Sequence, residues 1–267
     1  MEMCGIGGII LANRKLKFDE VYNTASRLEI RGRDAFGFLL LNRHGRVKRY
    51  FKLPAPATEV LSELEKLIAP VIESSYGILM HTRAATFGEP VINRNNHPFK
   101  ISHYYFAHNG YCSYTSPDWS RKRIQTDSFN GLFAPLIQRI EKGEALKQAV
   151  WKAYEEYCAT GAFWLYDEHL RKLYLFREFM PLTYSFHAES FRFASTGEPT
   201  HLEEGWIIEV QLPYHGEIER YPAEDFRDST NDWRCPPRAN RNGKVKIIFD
   251  GHKTKTVYNK GAQRQAR

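Results

Sequence analysis

Apolar positions along the chain change between two spacings, which predicts a mixture of strands and amphipathic helices. The first strand is predicted over residues 6–11, and a second over 78–80. Three later strands follow one another closely, over 162–166, 170–176 and 191–194, with a further strand over 206–212. Helical spacing appears in four stripes, which include Val21, Ala25 and Leu28; Val60, Leu61, Leu64, Leu67, Ile68, Val71 and Ile72; Phe129, Leu132, Phe133, Leu136, Ile137 and Ile140; and Leu146, Val150 and Tyr154.

This succession predicts antiparallel sheets with helices stacked outside them, which is the α+β class. The chain has 267 residues, of which 42% are hydrophobic, so it is long enough to bury a core in one large domain or two small ones. We expect no membrane contact, because no apolar stretch approaches the ~18–20 residues of a span and no signal peptide begins the sequence. Four scattered cysteines favour a reducing setting, with the cytoplasm as the expected location.

Cys4 is the residue with the most reactive side chain near the start of the sequence. If residues 1–3 were removed, its own α-amine, with an ordinary pKa of about 8, would lie within reach of its thiol, with an ordinary pKa of about 8.5. One residue would then supply both a nucleophile and a general base. Position alone favours a simpler interpretation, in which Cys4 is a small buried hydrophobic residue at the start of a strand.

Six further features change that weighting, because they occur together and in a fixed order. The sequence contains Cys4-Gly5-Ile6-Gly7-Gly8, Arg31-Gly32-Arg33-Asp34-Ala35-Phe36-Gly37, His81-Thr82-Arg83-Ala84-Ala85-Thr86-Phe87-Gly88, Asn96-His97-Pro98-Phe99, His108-Asn109-Gly110 and Thr126-Asp127-Ser128. In order and spacing these segments resemble those of the class II glutamine amidotransferases, which are N-terminal-nucleophile hydrolases. The resemblance implies a four-layer αββα sandwich over residues 4–222.

The resemblance also implies roles for the catalytic residues. Cys4 would attack the side-chain amide of glutamine, and Asn109 with the backbone N–H of Gly110 would stabilise the oxyanion that forms. The product would be a γ-glutamyl thioester that water then cleaves to glutamate. Taken alone, Asn109-Gly110 is also the strongest short signal for a hairpin turn, and a turn could still present the N–H.

Substrate recognition is implied for three other residues. Arg83 matches the residue that binds the α-carboxylate, for which the planar guanidinium is suited, and Thr86 lies beside it. Asp127 matches the residue that binds the α-ammonium group. Without the resemblance, Arg83 would be interpreted as a surface charge and Asp127 as the N-cap of the following helix.

Ammonia is the useful product in this family, and it passes to an acceptor held by a second domain or protein. We favour a glutaminase that feeds ammonia to a separate synthase. Two alternatives stay open, an independent hydrolase of γ-glutamyl amides or peptides and a catalytically silent binding module with the same fold.

No cofactor is expected. His81, His97 and His108 have no recognised zinc spacing and no C-x-x-C pair accompanies them, so we interpret them as residues that hold loops and predict no metal. The sequence has no phosphate-binding loop, and Gly5-Ile6-Gly7-Gly8 is too short for a dinucleotide fingerprint.

Residues 223–267 differ in character and are predicted to form a basic extension, partly disordered or a short docking segment. From 227 onward this extension has eleven Lys or Arg against three Asp or Glu, whereas the whole chain has a net charge of +7. Charge alone would allow weak contact with nucleic acid or an acidic partner, although a solvated terminus is the simpler interpretation. A strand is predicted within it over 245–249.

Two departures from the family pattern concern the site. Met1-Glu2-Met3 precedes Cys4, so its amine is blocked unless these residues are removed or translation begins at Met3. We expect unprocessed chains to be inactive. Ala84 stands where close relatives commonly have a larger, often aromatic, residue, a difference expected to alter loop closure.

Overall fold

The computed structural model describes residues 3–113 and 123–223, together with the backbone of two strands beyond them. Fifteen strands and five α-helices are described, with a π-helical segment at Ser128–Phe133 and a 3₁₀ turn at Asn93–Asn95. The helices are α1 Phe18–Glu29, α2 Ala57–Glu63, α3 Glu65–Ile72, α4 Ala134–Glu141 and α5 Leu146–Glu156. The strands are β1 Gly5–Leu11, β2 Ala35–Leu41, β3 Val47–Leu53, β4 Gly77–Arg83, β5 Phe99–Ile101, β6 Tyr104–Cys112, β7 Ala159–Asp167, β8 Lys172–Glu178, β9 Thr183–His187, β10 Ser190–Ala194, β11 Thr200–His201, β12 Trp206–Gln211, β13 Glu217–Pro222, β14 Val245–Phe249 and β15 Thr254–Tyr258.

The strands form two antiparallel sheets. The first has seven strands in the order β11-β9-β10-β1-β4-β2-β3, and the second has eight in the order β15-β14-β13-β12-β8-β7-β6-β5. Strands β1, β2 and β4 are buried along their whole length, which fits their nearly continuous apolar sequences and their positions inside a sheet covered on both faces.

Three hydrophobic clusters separate four layers. One lies between the two sheets and includes Ile6 and Trp164. A second packs the first sheet against α1, α2 and α3, and a third packs the second sheet against α4 and α5. The predicted α+β class and the four-layer αββα sandwich are therefore confirmed.

Most predicted elements appear near their expected positions, with three differences. The stripe over 60–72 forms two helices rather than one, because Leu64, with φ −102° and ψ 14°, leaves the helical conformation between them. The helix after Asp127 begins with the π-helical segment before α4. Eight strands were not predicted, namely β2, β3, β5, β6, β9, β11, β13 and β15, since a short run fits a strand or a buried helix equally well.

Strand β14 pairs with β13 and with β15, so both strands continue the second sheet. The strand predicted over 245–249 is therefore confirmed, whereas the domain boundary at residue 222 stays a prediction. Residues 1–2, 114–122, 224–244, 250–253 and 259–267 lie outside the described residues, and most of the basic extension falls within these ranges. Over the part of the chain that is described, no helix has the length and apolar character needed to cross a membrane.

The fold brings the ends of the two sheets together at the residues singled out by the sequence. Strands β1 and β4 are neighbours in the first sheet, and their register pairs Gly5 with Thr82, which places Cys4 beside Arg83. Strand β6 of the second sheet packs against both strands. Its far end, at Asn109 and Gly110, lies at the same end of the sandwich.

Candidate active site

One pocket collects most of the residues that the sequence singled out. It has a volume of about 270 Å³ with its open mouth included. Five of the six predicted site residues line it, namely Cys4, Arg83, Thr86, Gly110 and Asp127. The sixth, Asn109, precedes Gly110 on β6 and is buried.

Cys4 lies immediately before β1, in the wall of the pocket. Its thiol donates to the carbonyl oxygen of Ala84 at 3.5 Å, and its own carbonyl accepts from Nε of Arg31 at 3.0 Å. Burial raises the pKa of the Cys4 thiol to about 11, although the Ala84 carbonyl contact and the charge of Arg83 lower it in part. At pH 7 such a thiol is thiolate in only about one molecule in ten thousand. A thiol that is so rarely ionised needs a base to become a nucleophile.

Arg83 ends β4 and is only 3% exposed, so its interpretation as a surface charge is wrong. Its Nη1 donates to Oδ1 of Asn96 at 2.7 Å, and its Nη2 donates to the carbonyl oxygens of Phe87 and of Gly88, the latter at 2.7 Å. These bonds fix the plane of the guanidinium. Burial lowers the pKa of Arg83, and the neighbouring acidic groups oppose that shift.

Asp127 lies across the pocket on a different part of the chain. Its dihedral angles, φ −59° and ψ −46°, are helical and its side chain makes no capping bond, so the N-cap interpretation is wrong. Its Oδ2 instead accepts from the backbone N–H of Cys112 at 2.9 Å. Burial raises the pKa of Asp127, and the hydrogen bond from Cys112 opposes this. The π-helical segment follows at once, a feature frequently found at functional sites.

Asn109 and Gly110 lie inside β6, where they pair with Ala162 and Gly161 of β7, so the hairpin-turn interpretation is wrong. Gly110 is required by close packing, because a Cβ there would lie 2.0 Å from the carbonyl oxygen of Thr160. The amide Nδ2 of Asn109 is buried and has no hydrogen-bond partner among residues 3–113 and 123–223. A buried donor without a partner is unusual in a folded protein and indicates a site where a partner arrives later.

The three histidines are buried, and two of them, His97 and His108, line the pocket. Nε2 of His81 donates to the carbonyl of His108 at 3.2 Å, while His108 contacts Oγ of Ser128 at 3.0 Å and the carbonyl of Thr160 at 3.2 Å. Burial lowers the pKa of His81 to about 3 and that of His108 to about 4, and it lowers the pKa of His97 well below the ordinary value. All three are neutral at pH 7. His81 and His108 connect β4, β6, β7 and the π-helical segment, so these two hold strands and a helix rather than the loops expected from sequence.

No metal centre is built from the described side chains. Within residues 3–113 and 123–223, no three His, Cys, Asp or Glu residues are arranged to hold an ion. The pocket instead presents a guanidinium and a carboxylate, which are partners for the two charged ends of an amino acid.

Two residues that belong to the sequence motifs, but for which no role was predicted, support the site. Asn96 holds the guanidinium of Arg83, and Arg31 holds the carbonyl of Cys4. A third, Asp34, accepts from the backbone N–H of Ala85 at 2.7 Å and so fixes the segment that follows Arg83. All three residues lie within the motifs that carry the family resemblance, so the motifs already indicated that they matter.

Solved structures with the same architecture place this geometry in context. The glutamine phosphoribosylpyrophosphate amidotransferase of B. subtilis, in a complex with ADP and GMP, superposes with a TM-score of 0.62 at 18% identity, over 83% of this chain and 49% of that one. A structure titled as the allosteric regulatory enzyme of purine biosynthesis gives a TM-score of 0.61 at 17% identity, again over 83% and 49%. This chain has the class II glutamine amidotransferase fold. It spans about half the length of these two structures.

A third neighbour with this class II fold is a glutamine aminotransferase class-II domain protein from Silicibacter pomeroyi. The TM-score is 0.51 at 13% identity, and the match covers 82% of this chain and 99% of that one. Among curated proteins, 7-cyano-7-deazaguanine synthase 2 of Sulfurisphaera tokodaii is 29% identical over 114 residues, which is 40% of this chain and 24% of that protein. No protein-family model matches the chain.

Proposed function

We propose that this chain is a class II glutamine amidotransferase that hydrolyses the side-chain amide of glutamine. The products are glutamate and ammonia, and the ammonia serves a separate acceptor synthase. One observation carries the proposal: the Cys4 thiol shares a pocket with a buried guanidinium and a buried carboxylate, those of Arg83 and Asp127, in the fold of these enzymes.

In this account the two charged residues hold the amino-acid head of glutamine. Arg83 binds the α-carboxylate through its positive charge and through the guanidinium N–H groups that Asn96, Phe87 and Gly88 do not use. Asp127 binds the α-ammonium group, and Thr86 closes the pocket beside Arg83. The pairing of both charges excludes amides that have no amino-acid head, since each would leave a buried charge unpaired.

The reaction begins when the freed α-amine of Cys4 takes the thiol proton and the sulfur attacks the amide carbon. The tetrahedral oxyanion then accepts from Nδ2 of Asn109 and from the backbone N–H of Gly110. The C–N bond breaks, ammonia leaves with the proton from the amine, and water cleaves the thioester. Support comes from the unpartnered Nδ2 of Asn109 and from the raised pKa of the buried thiol, which makes a base beside it necessary.

The acceptor is proposed to lie on another protein. The two solved neighbours carry about as much chain again beyond the region that this chain matches. The curated relative is named as a synthase of 7-cyano-7-deazaguanine, so a 7-deazaguanine-type base is our proposed acceptor class. Transfer in the cytoplasm, and a supporting role of the basic extension in partner contact, remain expectations of this account.

The direct test is glutamate release from glutamine by protein whose first residue is Cys4. Cys4→Ala is expected to abolish it, whereas Cys158→Ala, which changes an exposed cysteine, leaves it intact. Rates that rise on addition of a co-purifying synthase support the proposal. Rapid turnover of γ-glutamyl peptides without a partner would favour the independent hydrolase, and no turnover by correctly processed protein would favour the silent module.

A further inference from the structure

The guanidinium of Arg83 is connected through Asn96 to Lys52, which lies two strands away in the first sheet. Asn96 accepts from Arg83, and the backbone carbonyl of Asn96 accepts from Nζ of Lys52 on β3 at 2.6 Å. The same ammonium donates to the carbonyl of Pro98 at 3.2 Å. Lys52 therefore bridges the two carbonyls on either side of His97, which is part of the pocket wall.

Aromatic rings and carbonyl oxygens, which attract a cation, surround the ammonium of Lys52. Nζ of Lys52 lies 5.6 Å from the ring centroid of Tyr50 and 5.4 Å from that of Phe99, within the range of cation–π attraction. The Tyr50 hydroxyl also donates to the carbonyl of Pro98 at 2.6 Å. The loop that carries these carbonyls packs tightly on β2, where a Cβ at Gly37 would lie 2.2 Å from the carbonyl oxygen of His97.

A charge in this position has a cost that an apolar side chain would avoid. Burial, together with the positive charge of Arg83, lowers the pKa of Lys52 to about 8. Removing an ammonium from water beside another cation is unfavourable. A lysine is expected in such a position only if its hydrogen bonds supply a contact that an apolar side chain cannot make. Here those bonds fix the backbone of the residue that holds Arg83.

We propose that Lys52 is a positioning residue, which holds Asn96 against Arg83 and thereby sets the geometry in which Arg83 receives the α-carboxylate of the substrate. This inference rests on the proposed function, because it takes Arg83 as the carboxylate-binding residue. Lys52 does not itself touch the substrate.

The first test is the kinetics of Lys52→Met with glutamine. KM is expected to rise about tenfold, equivalent to ~1.4 kcal/mol, while kcat changes less than about twofold, because only the recognition end is disturbed. Lys48→Met is the matched control. Lys48 lies on the same strand and donates to the carbonyl and hydroxyl oxygens of Ser74, so its loss should leave both constants unchanged.

The pH dependence of KM shows whether Lys52 acts through its positive charge or through the packing of its side chain. The titratable groups facing Lys52 are Tyr50 on its own strand, His81 and Arg83 on β4, and His97 on the loop. The pKa values of both histidines are lowered and that of Tyr50 is raised, so these three stay neutral between pH 7 and 9 while Arg83 stays charged. The KM of the native protein should therefore rise above about pH 8 as Lys52 loses its proton.

Lys52→Arg supplies the conservative comparison, since an arginine keeps its charge over this range. It is expected to restore most of the affinity lost in Lys52→Met, and its KM should rise less between pH 7 and 9 than that of the native protein. An unchanged KM in Lys52→Met, or equal losses with Lys48→Met, would overturn the proposal.

A crystal structure of Lys52→Met gives a reading that does not depend on turnover. The contact between Nη1 of Arg83 and Oδ1 of Asn96, 2.7 Å in the native protein, is expected to open beyond hydrogen-bonding distance. If it persists, Lys52 does not position Arg83. If processed native protein consumes no glutamine, the proposed function fails by itself, and this structure still decides the role of Lys52.

Discussion

The two ends of the pocket differ in how completely their polar groups are satisfied. At the recognition end, Arg83 donates to three acceptors and Asp127 accepts from a backbone N–H. At the reacting end, within the part of the chain that the structure describes, Nδ2 of Asn109 has no partner and the Cys4 thiol has one long contact. In the proposed function, the charges that select the substrate are thus fixed in advance, whereas the donor at the reacting end is available for charge that appears only during the reaction.

The largest expected effect is at the reacting end. Asn109→Ala should lower kcat by about 10²–10³-fold and leave KM within about twofold, because an oxyanion donor acts mainly in the transition state. Its melting temperature should change little, since Nδ2 has no hydrogen bond to lose. Steady-state kinetics and thermal unfolding of one preparation measure both quantities.

Asn130 is the matched comparison for Asn109. It is also buried, but its Nδ2 donates to the carbonyls of Ile124 and Thr126 at 2.7 and 2.9 Å. Asn130→Ala should therefore lower the melting temperature. The contrast between the two ends breaks down if Asn109→Ala is destabilised equally and retains its native kcat.

A smaller effect is expected at the recognition end. Arg83→Lys keeps the charge but loses the planar fork and part of the bonding to Asn96 and the Phe87 and Gly88 carbonyls, so KM should rise about 10- to 100-fold, for a loss of ~1.5–3 kcal/mol. Initial rates over a range of glutamine concentrations provide the measurement. Arg14→Lys, at an exposed residue paired with Glu20, is the control. A fall in kcat at constant KM would contradict the assignment of Arg83 to recognition.

A separate effect concerns stability and pH rather than catalysis. His81 and His108 have folded-state pKa values lowered to about 3 and about 4, whereas an unfolded histidine titrates near 6.5. Below pH 6.5 the unfolded chain therefore binds protons that the folded chain does not. Their contribution is complete above about pH 6.5 and is lost as pH falls towards 4, by up to ~1.4 kcal/mol per pH unit for each histidine.

Urea unfolding between pH 7 and 4.5 measures this slope. His108→Gln should make it shallower, and His44→Gln, at an exposed histidine, should leave it as in the native protein. Equal slopes in all three proteins would show that the buried histidines do not control acid stability.

Sequence reasoning identified the site through motifs rather than through local structure. The order of the segments around Cys4, Arg83 and Asp127 led to residues that the fold brings to one pocket. Local patterns were misleading at two of these positions, because a strand-end arginine resembles a surface charge and an aspartate before a helix resembles an N-cap. Burial depends on which elements pack together, and neighbouring residues in the sequence do not reveal it.

Lys52 shows what the sequence could not reveal. It lies on β3, whose residues are only partly buried or exposed, and a lysine there is typical of a solvated strand. Its role depends on a loop more than 40 residues later that folds back over it. The fold class was more accessible, since the spacing of apolar residues outlined most helices and four strands of the second sheet, β7, β8, β12 and β14.

The central claim is that the α-amine of Cys4 is the base for its own thiol. The decisive measurement compares glutamate release by two preparations of the chain, verified by mass spectrometry, one beginning at Cys4 and the other retaining Met1-Glu2-Met3. The account predicts that the retained form has less than about one per cent of the activity, because an amide nitrogen cannot take the proton. Equal rates in the two preparations would contradict it.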